Sequence, residues 1–166
     1  MKIRRFRSDD ADVIWRLHTK ALQAANADAG DGPWDDDLRD IESFYLRAGG
    51  EFLIGELRSR IVAMGALARI SAQTAEVRRM RVAPTYQRRG HGQRILDALH
   101  AAAAAMGFAR LVLDTTVGQH AAQSLYRAND YREVSRAQKG PFLVLRFERA
   151  VQQSLRSDAA TRHRTS

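Results

Sequence analysis

The stretch that most constrains this chain runs from Glu76 to Met106, EVRRMRVAPTYQRRGHGQRILDALHAAAAAM. Val77, Met80 and Val82 predict a strand over 74–83, and Pro84, which lacks an N–H, stops its pairing. Next come Gln87, Arg88, Arg89, Gly90, His91 and Gly92. Ile95, Leu96, Leu99, Ala102, Ala103 and Met106 then recur at the spacing of one helix face. The loop therefore opens a helix, where N–H groups without internal partners and a partial positive charge stabilise a phosphate. Gly90 and Gly92 remove Cβ atoms that would hold a phosphate away, and Arg88, Arg89 and Arg94 supply charge-assisted hydrogen bonds. A strand feeding a diphosphate-binding helix is the inference.

The dinucleotide fingerprint G-x-G-x-x-G and the P-loop pattern are both absent. Gln87, Gly90 and Gly92 instead match Q/R-x-x-G-x-G/A, which resembles the signature of the GNAT superfamily of acyl-CoA-dependent N-acyltransferases. A second stretch, Gly118 to Val134, is similar to the same family's N-x-x-A-x-x-L-Y-x-x-x-G-F region, with Ala122, Leu125 and Tyr126 in place. Gln119 stands for the usual Asn, Asp130 for Gly and Tyr131 for Phe. Gln119 keeps an amide, Tyr131 an aromatic ring, and Asp130 tolerates the left-handed conformation that ends a helix.

The resemblance implies an α/β (α+β) fold with a mixed central sheet of about six or seven strands and about four helices. It implies that the fourth and fifth strands splay, and that the pantetheine arm of acetyl-CoA pairs with Met80, Arg81 and Val82 as an added strand. A backbone N–H there would polarise the thioester carbonyl. Gln87, Arg88, Arg89, Gly90, His91 and Gly92 would hold the diphosphate, and Gln119 would bond to CoA. His91, at a variable position of the signature, reads as a surface residue of that loop rather than a catalyst. Glu76 stands where many members carry a base; it can act through water, or form an ordinary ion pair with Arg78 or another nearby arginine. Tyr126 can protonate the departing thiolate, or simply pack.

The net charge of +8 is unevenly placed. From Glu76 to Arg94 there are six arginines against one glutamate, and from Asn26 to Glu42 seven acids against one arginine. The acidic segment can receive a cationic amine, small molecule or peptide, or can merely place acids at a helix start. Clustering of arginine on a phosphate-sized loop, without RNA-binding aromatics, disfavours a nucleic-acid partner. A non-catalytic acyl-CoA sensor remains an alternative to the enzyme. Cysteine is absent, which excludes an acyl-cysteine intermediate, and the five histidines lack metal-ligand spacing, so no metal is expected. No segment approaches a membrane span and no apolar signal region opens the chain, so a cytoplasmic protein is expected. A homodimer is left open.

In order, the sequence predicts an edge strand over 2–7 and a helix from Ser8 that turns Ala11, Ile14, Leu17, His18, Ala21 and Ala25 inward. A helix follows Pro33 with Leu38, Ile41, Phe44 and Tyr45 inward, stopped at Gly49 and Gly50. A hairpin turns at Arg58 and Ser59, with Gly65 marking a bulge. After the central unit come a parallel strand over 110–115, a helix over 119–129 and a hairpin of 131–135 with 142–147. One acetyltransferase domain over 1–148 and a basic, mobile tail over 149–166 complete the expectation.

Overall fold

The computed structural model describes residues 1–30 and 32–153. Among the described residues seven strands form one sheet: β1 (Lys2–Arg5), β2 (Glu51–Leu57), β3 (Arg60–Arg69), β4 (Thr74–Val82), β5 (Arg110–Thr116), β6 (Arg132–Lys139) and β7 (Phe142–Ala150), in the order β1-β2-β3-β4-β5-β7-β6. Every neighbouring pair is antiparallel except β4 with β5. The helices are α1 (Ala11–Ala24), α2 (Asp36–Arg39), α3 (His91–Ala105) and α4 (His120–Ala128). The mixed sheet and helix count agree with the expected architecture.

Alternation along β3 divides the apolar residues between two cores. Ala63 and Leu67 face α3, whose Ile95, Leu96, Leu99 and Ala103 are fully buried there with Phe108, Leu111 and Phe147. Met64, Ala66 and Ala68 face the opposite side, with Ile14 and Leu17 of α1, Leu38, Tyr45 and Phe52. Gly65 lies between: a Cβ there would come within 2.6 Å of Ile95 Cγ2 and 2.8 Å of the Met80 sulfur, so glycine lets α3 approach the sheet. The irregularity expected at Gly65 belongs to its partner strand. Met64 pairs with Arg81 and Ala66 with Arg78, which puts Arg79 and Met80 together opposite Gly65 as a bulge on β4.

The two-residue turn at Arg58 and Ser59 has φ of 49° and 62°, the left-handed pair that suits a tight hairpin. The predicted helix after Pro33 is instead a 3₁₀ turn (Pro33–Asp35), the short α2 and a π-helical segment (Glu42–Arg47). Leu38, Ile41 and Tyr45 are buried, but Phe44 is 43% exposed. A π-turn bonds each residue to the fifth along, so the spacing of about 3.6 residues per turn no longer predicts the inward face.

The closing hairpin is longer than its apolar residues suggest. β6 extends to Lys139 although it is almost wholly exposed, because its partner is the β7 backbone rather than a core. β7 passes residue 148, and the Val151 N–H donates to Ala109 O at 2.9 Å. The remainder of the expected tail, 154–166, lies outside the described residues.

Candidate active site

β4 and β5 stay in register only through Thr74↔Arg110, Ala75↔Leu111 and Glu76↔Val112. Beyond Glu76 the strands separate, and the edge of β4 that faces β5 loses its ladder partner. The cleft so opened has a volume of about 1010 Å³ and is lined by Met80, Arg81 and Val82 of β4, Thr115 of β5, Gly92 of α3, and Gln119, Leu125 and Tyr126 around α4. An extended, amide-bearing chain laid in the cleft would find backbone groups to pair with on β4.

The β4 bulge is held from one side. Arg79 has φ of 56°, a left-handed conformation that costs an ordinary residue about 1–3 kcal/mol. Its guanidinium donates from Nε to Asp37 Oδ2 at 2.8 Å, from Nη1 to Asp35 Oδ1 at 3.0 Å and from Nη2 to Trp34 O at 2.7 Å. Asp37 also accepts from the Tyr45 hydroxyl and from Arg79 Nη2. Burial alone would raise the Asp37 carboxyl, but the bonds from Arg79 and Tyr45 outweigh it and hold the carboxyl below its usual range. His18, whose protonation is disfavoured first by burial and then by the Arg81 charge, is read as neutral, with Nε2–H donating to Asp35 at 3.0 Å. Two members of the acidic segment are thus counter-ions of Arg79, buried at 5% and 3% exposure.

At the other wall the chain turns from β4 into α3. Gln87 Nε2 donates to Val82 O at 3.2 Å, tying the loop back to the strand end. Arg88 and Gly90 have φ of 61° and 81°, and α3 starts at His91. A Cβ on Gly92 would meet nothing nearer than Val82 Cγ2 at 3.7 Å. Protein packing therefore does not demand glycine there, whereas a phosphate pressed against the helix start would. This arrangement fits the diphosphate of CoA. Arg88, Arg89 and Gly90 are exposed, and with His91 they surround the helix start without lining the cleft proper. Burial, reinforced by the positive N-terminus and Arg94, disfavours a proton on His91.

Tyr126, 7% exposed, lines the cleft and packs edge-on against Tyr131 at 5.6 Å. Its hydroxyl has no hydrogen-bond partner among the described residues. Burial pushes its pKa up to about 12, with Arg81 pulling it back. Gln119 lies at the turn into α4, and its Oε1 accepts from Thr115 Oγ1 at 2.7 Å, which leaves its Nε2–H₂ for a ligand. Glu76 is the last residue paired before the strands part, and it does not line the cleft itself. No ion pair engages Glu76 among the described residues, Arg78 included. Burial holds its carboxyl above the usual range, against the pull of Arg78.

Sequence reasoning missed several parts of the cleft, among them the end of α1 with residues 25–27, Asp114 to Val117, His120, and Pro141 to Leu143. Asp114 accepts from Arg146 Nη1 at 3.0 Å and Lys139 Nζ at 3.1 Å. Its signal was available as the one charged residue in the apolar run LVLDT.

β4 and β5 part beyond Glu76, just before the β4 bulge and next to a glycine-marked helix start, and so leave a cleft open to an extended ligand. The family model described as Acetyltransferase (GNAT) family matches residues 14–131, and the chain belongs to that family. It is therefore an acyltransferase of a family that uses acetyl-CoA. Among solved structures, a GNAT acetyltransferase from Staphylococcus aureus superposes with a TM-score of 0.83 at 20% identity, over 91% of this chain and 99% of that one. The ribosomal-protein-S18-alanine N-acetyltransferase of Escherichia coli gives 0.75 at 16% identity, over 94% and 97%. yncA from Salmonella typhimurium, solved with its cofactor acetyl-CoA, gives 0.75 at 19%, over 96% and 99%. A comparison with curated proteins returned no match. Among the described residues no helix is long and apolar enough to cross a membrane.

Proposed function

We propose that this chain moves the acetyl group of acetyl-CoA directly to a primary amine in the cleft between β4 and β5. The observation that carries the reading is the juxtaposition of the unpaired β4 edge, the open helix start at Gly92 and the Tyr126 hydroxyl around one cavity. Met80, Arg81 and Val82 offer backbone groups to the pantetheine arm. Gln87 to Gly92 receive the diphosphate, and Gln119 donates its free amide.

An amine with a pKa near ~10.4 is almost wholly protonated at neutral pH, so a proton must leave before attack. Glu76, with its raised carboxyl and no ion-pair partner among the described residues, takes that proton through water. The amine nitrogen then bonds to the thioester carbon, and a β4 N–H stabilises the developing oxyanion. The C–S bond breaks and the sulfur takes a proton from Tyr126; the acylated nitrogen gives up its second proton through water to the Tyr126 oxygen, and Glu76 returns the first to solvent. The products are the N-acetyl amine and CoA thiol. Direct transfer accords with the absence of cysteine.

The test is initial-rate kinetics with acetyl-CoA and amine varied together, with mass analysis of product and protein. Intersecting lines and an acetyl group found only on the amine support direct transfer. Parallel lines with an acetylated protein would refute it.

A further inference from the structure

Arg81 lies on the part of β4 that β5 has left, and it lines the cleft with Tyr126 and Asp114. Its guanidinium makes one hydrogen bond among the described residues, from Nη1 to Met80 O at 2.8 Å. Its Nε is shut off from solvent without a partner. No carboxylate among the described residues lies within ion-pair distance of it. The acids that could have served are already engaged: Asp35 by Arg79 and His18, Asp37 by Arg79 and Tyr45, and Asp114 by Arg146 and Lys139. Burial, followed by the charge of Arg79, disfavours the charge on Arg81.

A partly buried cation whose neighbours are all committed elsewhere is unfavourable to keep, because its desolvation is not repaid. Tyr126, beside it, offers a neutral hydroxyl and no compensating charge. The positive charge is instead placed for an anion that enters the cleft. The diphosphate does not supply that anion, since it is assigned to the start of α3. A planar guanidinium with free N–H groups matches a carboxylate in shape as well as charge.

We propose that Arg81 is a specificity residue that binds a carboxylate brought to the reacting end of the cleft. This rests on the acetyl-transfer reading above and narrows its substrate. The acceptor is then an amine that also carries a carboxylate, as in an amino acid, rather than a purely cationic amine. The same chemistry can come from the donor if the acyl group itself ends in a carboxylate, and the two sources are separable.

The first arm measures thiol release from acetyl-CoA with a set of L-amino acids and their α-amides, compared at equal concentration of free amine. The second compares acetyl-CoA with succinyl-CoA on an amine without a carboxylate. A single charge-assisted pair predicts a preference of roughly 10- to 100-fold in kcat/KM for the carboxylate-bearing partner. In Arg81→Gln that ratio should collapse to within about threefold. A preference in the first arm places the carboxylate on the acceptor, and one in the second places it on the acyl group.

A third measurement needs neither turnover nor an identified acceptor. Benzoate and benzamide are titrated into the wild-type protein while the Arg81 Nε–H resonance is followed, with Arg81→Lys used to assign it. A saturable shift with benzoate alone supports the site. No preference in either arm together with no such shift overturns it. If no amine yields thiol release while benzoate still shifts Arg81, the acetyl-transfer reading has failed and the carboxylate site stands.

Discussion

Replacing Arg79 tests whether the ion cluster holds the β4 bulge. Arg79→Ala leaves Asp37 at 3% exposure and Asp35 at 5% without their main counter-ion. Removing one partner of a buried pair costs about 3–5 kcal/mol, because the remaining charge is desolvated and unpaired. The left-handed φ of 56° persists in the alanine variant, whereas glycine adopts it freely. Arg79→Gly should therefore be about 1 kcal/mol less destabilised than Arg79→Ala, despite its more flexible unfolded chain. Adding Asp37→Asn to Arg79→Ala removes one stranded charge and should recover at least about 1 kcal/mol of the loss. Urea unfolding of these four proteins and of Asp37→Asn alone, which closes the cycle, supplies these numbers. The wild-type protein should also lose stability as pH falls through the lowered Asp37 value. The unfolded carboxylate, with a pKa near ~3.9, protonates more readily than the folded one, so acid favours unfolding. An Arg79→Ala loss below about 1 kcal/mol, with no coupling to Asp37, would refute the clamp.

Four further outcomes follow from the geometry. Gly92→Ala should leave stability unchanged or slightly raised, since a Cβ there touches nothing closer than 3.7 Å, yet it should weaken acetyl-CoA binding measured by calorimetry. Equal affinity would remove the close phosphate approach. Tyr126→Phe should lower kcat by roughly 10²-fold or more, with little change in acetyl-CoA affinity, if the hydroxyl is the acid; unchanged turnover would make Tyr126 a packing residue. In Glu76→Gln the acidic limb of the pH–rate profile should disappear. In the wild-type protein that limb should lie above the ordinary carboxylate range near ~4.3, because burial raises the group; a limb unmoved by the substitution rules Glu76 out as the base. His100 is held neutral by burial and by Arg149, with its pKa lowered to about 4. The folded state therefore binds the His100 proton less readily than the unfolded chain, and stability should fall as pH drops from about 6.5 toward 4. His100→Gln should flatten that part of the stability curve.

The parts of the molecule legible in the sequence were those with local physical causes. Pro84 ended β4, the glycines marked the start of α3, and the period of Ile95, Leu96 and Leu99 identified its buried face. The turn at Arg58 and Ser59 was visible from the runs on either side. What could not be read depends on partners distant in the chain. Arg79 meets Asp35 and Asp37 across more than forty positions, so an acidic stretch that invited a cationic acceptor proved in part to be the internal counter-charge of a bulge. Glu76 and Arg78 are near neighbours on one strand, yet no pair forms between them. Phe44 followed helical spacing until the π-turn changed the period. The length of β6 was hidden because an exposed strand is specified by backbone pairing, which leaves little trace in hydrophobicity.

The most direct test of the account is acceptor-dependent thiol release from acetyl-CoA by the wild-type protein beside Tyr126→Phe, across amino acids, peptide N-termini, polyamines and aminoglycosides. The account predicts release with at least one amine, an N-acetylated product, and a large loss of rate in Tyr126→Phe at undiminished acetyl-CoA binding. Acetyl-CoA bound tightly in the cleft with no release for any amine, or release that Tyr126→Phe leaves untouched, would contradict it.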